Sequence, residues 1–268
     1  MTKTRVALIG IACVACLLLG AAAGYLPGYY ANQSQDDSLT QISTIDAVLN
    51  GLYDGVTTWG ALKEYGDFGI GTFDGLEGEM IVVDGVCYQV KVDGVAYPVT
   101  DTMTIPFASV TFFDEDRELP VQAGTNYTQL QEYLSDSIEE RNIFYAVRID
   151  GTFDYVKTRS LPGQEKPYPP LVEVTANQST FDFHDVRGTI VGFYSPDYVG
   201  GLNVPGYHLH FITEDRKAGG HVLELEIEDA QLSVDYTSDI RIILPNTEEF
   251  NSLDLTLNKE EELEKAEK

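Results

Sequence analysis

The stretch Tyr207-His208-Leu209-His210-Phe211-Ile212-Thr213-Glu214-Asp215-Arg216-Lys217-Ala218-Gly219-Gly220-His221-Val222-Leu223-Glu224-Leu225 holds three of the four histidines in a chain of 268 residues. His208 and His210 are two apart among apolar and aromatic neighbours. That pattern suits a strand and puts both imidazoles on one face. A polar segment ending in two glycines follows, and a second apolar run starts at His221, so the whole reads as a β-hairpin. With His210 and His221 opposite or diagonal to each other, three imidazoles converge. Three neutral imidazoles and an open position are the ligand set of a catalytic Zn²⁺ site. A His-x-His pair alone reads first as a half-exposed polar face. The third histidine on the return strand, in so histidine-poor a chain, turns the reading to a metal site. It depends on register, because a one-residue slip turns His221 away.

Outward from the hairpin, residues 171–176, 186–194, 207–213, 221–232 and 240–244 all read as strands. Before them, Gly163 to Pro170 carries three prolines and two charges and reads as a linker. Upstream, Ser43 to Gly51 and Thr58 to Leu62 read as short helices, the first capped by Ser43 or Thr44. Four glycines between Gly66 and Gly75 match no phosphate-binding fingerprint; they read as turns and a short strand where backbone comes close to something. Glu77 to Tyr97, turning at Asp84-Gly85 and Asp93-Gly94, reads as a meander. Thr104 to Phe113 reads as a further strand. Tyr127, Leu130, Leu134 and Ile138 keep helical spacing. Phe144 to Phe153 reads as a strand and turn, and Tyr155 to Ser160 as the return strand.

The fold class expected is α+β in two domains, with mixed or antiparallel sheets, few helices and the metal site on a hairpin of the second domain. The division is a signal peptide or membrane anchor with a polar spacer (1–38), an N-terminal α+β domain (39–165), a C-terminal β-rich domain (166–250) and a tail (251–268). From the residues alone, Glu79 is an exposed charge at a strand end, and Glu260 to Lys268 is a solvated charged end.

A net charge of −26 argues against a nucleic-acid partner and disfavours anionic lipid. Of three cysteines, Cys13 and Cys16 lie in the N-terminal apolar run, which leaves Cys87 for the body. That excludes an internal disulfide and a four-cysteine or two-cysteine zinc site there. Lys3 and Arg5 precede an uncharged apolar run from Val6 to Leu26, with Ala21-Ala22-Ala23 near its end. It fits a cleaved signal peptide and is long enough to span a bilayer as an anchor. Either way the body is expected to be exported, extracellular or on the outer face of the cytoplasmic membrane.

Several motifs in series resemble one family. They are Gly66-Asp67-Phe68-Gly69-Ile70-Gly71-Thr72-Phe73 with Gly78-Glu79-Met80, then Val156-Lys157-Thr158-Arg159, Gln164-Glu165-Lys166-Pro167-Tyr168 and Gly188-Thr189-Ile190-Val191-Gly192-Phe193. Val204-Pro205-Gly206-Tyr207-His208-Leu209-His210-Phe211 and Gly219-Gly220-His221-Val222-Leu223 complete the series. Over residues 40 to 268 the chain resembles the acetolactate decarboxylases. The resemblance implies a two-domain homodimer with zinc held by His208, His210 and His221. It implies that Arg159 is the active-site arginine and that Glu79 is one of two catalytic carboxylates. The second comes from a tail folded back over the metal; Glu267 matches best, with Glu264 as the fallback.

The implied reaction is loss of CO₂ from 2-acetolactate to give acetoin. The metal would chelate the substrate's adjacent hydroxyl and ketone oxygens and stabilise the enediolate, and a glutamate would protonate it. Arg159 would hold the carboxylate or the developing charge. Two other classes use the same ligands: a zinc hydratase or hydrolase, and a secreted β-rich domain with a structural metal site.

Overall fold

The computed structural model describes residues 37–267. The expected signal peptide or anchor, with Cys13 and Cys16, lies outside the described residues. Among those described, no helix is long and apolar enough to cross a membrane.

In chain order the elements are β1 (Ser38–Ile42), α1 (Ile45–Leu49), β2 (Thr57–Thr58), α2 (Trp59–Leu62), β3 (Phe68–Thr72), β4 (Glu79–Val83), β5 (Val86–Val90), β6 (Ala96–Pro98), β7 (Thr104–Ile105) and β8 (Phe107–Thr111). There follow β9 (Arg117–Pro120), β10 (Thr125–Asn126), α3 (Tyr127–Ser137), β11 (Phe144–Ser160), α4 (Leu171–Thr175), β12 (Ser179–Ser195), β13 (Gly206–Thr213), β14 (Gly219–Thr237), β15 (Asp239–Ile243), α5 (Glu248–Ser252) and α6 (Glu260–Glu267). Strands dominate and helices are few, as the patterning implies.

The first sheet runs β15-β1-β8-β3-β4-β5-β6. It is mixed, because β1 and β15 are parallel while β3, β4 and β5 pair antiparallel. The second sheet runs β10-β14-β11-β12-β13, and β13 also pairs with β14, which closes β11 to β14 into a ring. Alternation along these strands separates two environments. Leu209 and Phe211 of β13 face an apolar interior shared with Val147, Ile149 and Leu232, which α3 covers through Leu130 and Leu134. Ile212, of opposite parity, packs with Val191 and Phe193 against Ile81 and Val83 of the first sheet. His208 and His210 share the parity of Ile212, so they face the first sheet.

Three expectations are corrected. The division at residues 165/166 does not separate the sheets: residues 37–268 form one compact unit, β11 and β12 pair across that segment, and β1 pairs with β15. Residues 144–160 are not a strand, a turn and a return strand; β11 runs through them as one 17-residue strand. Gly151 lies between two neighbours, Gly188 and Ala230, and a Cβ there would meet Asp229 O at 2.3 Å, so glycine serves close strand packing. Leu171 to Thr175 is a helix rather than a strand. Pro170 immediately precedes it and fixes its entry, overriding the β-branched residues.

Candidate metal centre

The register that the hairpin reading needs is present. His210 lies opposite His221, and on the other side of β14 His221 lies opposite Arg159 of β11. Arg159, His221 and His210 therefore form one row across three strands, and His208 sits one alternation along β13. Here β14 must approach β11 closely: at Gly220, φ is +138° and an added Cβ would come within 2.4 Å of Arg159 O. Glycine meets both demands.

Ligand atoms of the three histidines all lie within 4.8 Å of one another. His208 Nε2 and His221 Nδ1 are 3.2 Å apart. His210 is buried, and its Nδ1 lies 2.9 Å from the carbonyl oxygen of Met80. A carbonyl only accepts, so Nδ1 carries the proton and Nε2 presents a lone pair. That Nε2 is buried and has no hydrogen-bond partner. Burial pulls the pKa of His208 down to about 3, helped by the Arg159 charge. Burial also holds His210 and His221 well below the usual imidazole range, with His208 adding to it for His210 and Arg159 for His221. All three are thus neutral donors near pH 7. A backbone carbonyl fixing one imidazole's tautomer, with the other nitrogen aimed at the cluster, is the support a metal-ligating histidine usually has. The donor set fits Zn²⁺.

Glu79 opens β4 and shares its face with Ile81 and Val83, so it points at the second sheet. It is 6% exposed, not the strand-end surface charge that its position suggests. Its Oε2 lies 3.7 Å from His210 Nε2, and its Oε1 is buried without a partner. Burial pushes its pKa up to about 7 against the opposing Arg159 charge, with Glu267 adding to the rise.

The charged end is a helix, not a loose tail. Leu263 and Ala266 of α6 pack beside Val174, Val204 and Ile45, and Glu267 follows on the same side. Its Oε2 is 3.8 Å from His208 Nε2 and 3.8 Å from His221 Nε2, and its Oε1 is 3.8 Å from Arg159 Nη2. Burial raises its pKa, and Arg159 opposes the rise. Glu264, three residues earlier, is exposed. Cavities of about 1260 and about 940 Å³ flank α6, and Glu267 lines both.

Arg159 is 3% exposed. Its Nη1 donates to Gln178 Oε1 (3.2 Å) and to the carbonyl of Ala266, while its Nε is buried without a partner. The structure thus brings together His208, His210, His221, Glu79, Arg159 and Glu267. The Met80 carbonyl and Gln178 join them, and no motif marks either. The turn from α4 into β12 is what places Gln178 beside Arg159. His184 is exposed, its ring 5.1 Å from that of Tyr155. Arg148 pairs with Asp84 (2.7 Å) and Asp150 (2.5 Å).

The sequence profile of the alpha-acetolactate decarboxylase family matches residues 39–257. The chain belongs to the alpha-acetolactate decarboxylase family. This is a family of carboxy-lyases. The Methanosarcina mazei alpha-acetolactate decarboxylase is 52% identical over 88% of this chain and 82% of its own length. The Bacillus subtilis decarboxylase is 44% identical over 80% of this chain and 84% of its own. The crystal structure of the enzyme from B. subtilis strain 168 superposes with a TM-score of 0.84 at 42% identity, covering 86% of this chain and 99% of the other. The family match stops ten residues short of Glu267, so the tail contacts rest on this chain's own geometry.

Proposed function

We propose that the protein decarboxylates 2-acetolactate to acetoin and CO₂ with a zinc ion held by His208, His210 and His221. The observation that carries this reading is the unpartnered His210 Nε2, buried beside two other neutral imidazoles in a member of this family. Bound there, Zn²⁺ supplies a Lewis acid for the adjacent hydroxyl and ketone oxygens of a 2-hydroxy-3-keto acid. Arg159 binds the substrate carboxylate, its buried Nε offering a donor that nothing else uses. Glu79 keeps one carboxyl oxygen unpartnered toward the cluster, and burial favours its protonated form. It delivers the proton that replaces CO₂ on carbon. Glu267 closes the other side, where its carboxylate orients the reacting groups and α6 keeps water out. Lys3, Arg5 and the apolar run after them support export, which cell fractionation tests.

The test is acetoin release by purified protein given 2-acetolactate, with and without a chelator. Metal-dependent acetoin is the expected result. Ester hydrolysis or CO₂ hydration with no acetoin would make this a hydrolase or hydratase. Inertness with a tightly held ion would make the metal structural.

A further inference from the structure

A buried cation needs acceptors in place of water. Among the partners of Arg159 given above, Ala266 and Glu267 belong to α6. Gln178 is the partner that comes from the body of the domain, through Nη1 at 3.2 Å. Its place follows from the fold. Its backbone N–H donates to Thr175 O (3.1 Å) at the end of α4, and β12 begins at the next residue. The β11–β12 register sets Thr180 opposite Arg159. Gln178, one residue ahead of the strand, lies diagonally from Arg159, within reach of a long side chain. Its oxygen is a neutral acceptor, so it orients the guanidinium without cancelling its charge as a carboxylate would. Glu267 Oε1 already lies 3.8 Å from Nη2, so a neutral partner at Nη1 leaves more of the charge for an incoming anion than a second carboxylate would.

The geometry points to Gln178 as a positioning residue that presents Arg159 to the substrate carboxylate. This rests on the reaction proposed above. It requires Gln178 to act through Arg159 and to leave the metal alone.

The experiment uses the full zinc-loaded protein and two readouts. One is equilibrium binding of 2-hydroxyisobutyrate, a 2-hydroxy acid with no ketone, which cannot lose CO₂ by this route. The other is kcat and KM for acetoin formation. Gln178→Ala should weaken hydroxy-acid binding and raise KM by roughly tenfold, the scale of one hydrogen bond to a charged group, with zinc content unchanged and kcat moved less. Gln178→Glu should raise KM at least as much, because it holds the guanidinium but cancels its charge. In an Arg159→Ala background, Gln178→Ala should add nothing. Gln178→Asn, whose amide falls one methylene short, repeats the test should the alanine variant fail to fold. Wild-type binding and KM in Gln178→Ala would overturn the assignment. So would a further loss in the Arg159→Ala background, or no binding of 2-hydroxyisobutyrate by the wild type. Absence of acetoin with weakened hydroxy-acid binding in Gln178→Ala would sink the reaction and leave Gln178 in its role.

Discussion

The two halves of the site are built differently. One half is set by β-ladders. His208, His210, His221 and Arg159 sit on three paired strands, and Glu79 starts a strand of the facing sheet. The other half is Glu267, at the end of an eight-residue helix whose buried side chains are Leu263 and Ala266. Ladder register fixes the imidazoles, with a paired strand on both sides of His210 and His221 and β12 beside His208, so moving one means unzipping a strand. A short helix that buries two side chains and leans on Arg159 through its last turn has little stability of its own. The histidine half is therefore built to persist, and the tail half depends on docking.

The largest effect should come from breaking the ladder half. His210→Ala or His221→Ala removes a ligand from a three-ligand set. Both zinc content and acetoin formation should fall to background, read by elemental analysis and product assay. Next is the tail half. Ending the chain after Asn258 should leave zinc bound but lower turnover by about 10²–10⁴-fold, the range for one positioned acid or base. Glu267→Gln should match it if the carboxylate is what matters; a much milder Glu267→Gln would assign the loss to water exclusion by α6. Leu263→Ala sits between intact and absent tail. Leu263 is 8% exposed, and truncating it should weaken docking by about 2 kcal/mol. Turnover should drop less than on truncation, and limited proteolysis should cut the tail sooner.

The smallest effect concerns a buried acid outside the site. Asp235 is fully buried, and neither carboxyl oxygen has a partner. Burial pushes its pKa from 3.8 to about 8, with the Asp116, Asp37 and Asp114 charges adding to the rise and the nearby Asp114 backbone opposing it. The folded state therefore holds this proton up to about pH 8, while the unfolded chain releases it near 3.8. The folded state binds more protons between those values, so stability falls as pH rises through the window and levels above it. Asp235→Asn should remove that slope and raise Tm by a few degrees, roughly, at pH 8 but not at pH 4. Equal shifts at both values would mean that the acid is hydrated. Activity should not follow, because Asp235 lies on the far end of β14 from His221.

The ladder half was legible in the sequence because parity is strict: His-x-His must share a face, and a glycine-ended turn returns the next strand beside it. The long strands were less legible. Gly151 looks like a turn when one strand is read alone, and only its two flanking strands show why glycine is there. Glu79 reads as surface for the same reason, since what buries it is a second sheet facing Ile81 and Val83. In the tail, charge masks the spacing of Leu263 and Ala266, which sets Glu267 inward and leaves Glu264 exposed. The docking of α6 rests on contacts with α1 and α4 that no local pattern announces.

The most direct test of the account is a titration of metal-stripped protein with Zn²⁺, following bound metal and acetoin formation together. Acetoin should be absent at the start and rise linearly to a break at one zinc per chain, with His210→Ala flat throughout. Full turnover before any metal is added, or undiminished turnover in His210→Ala, would contradict it.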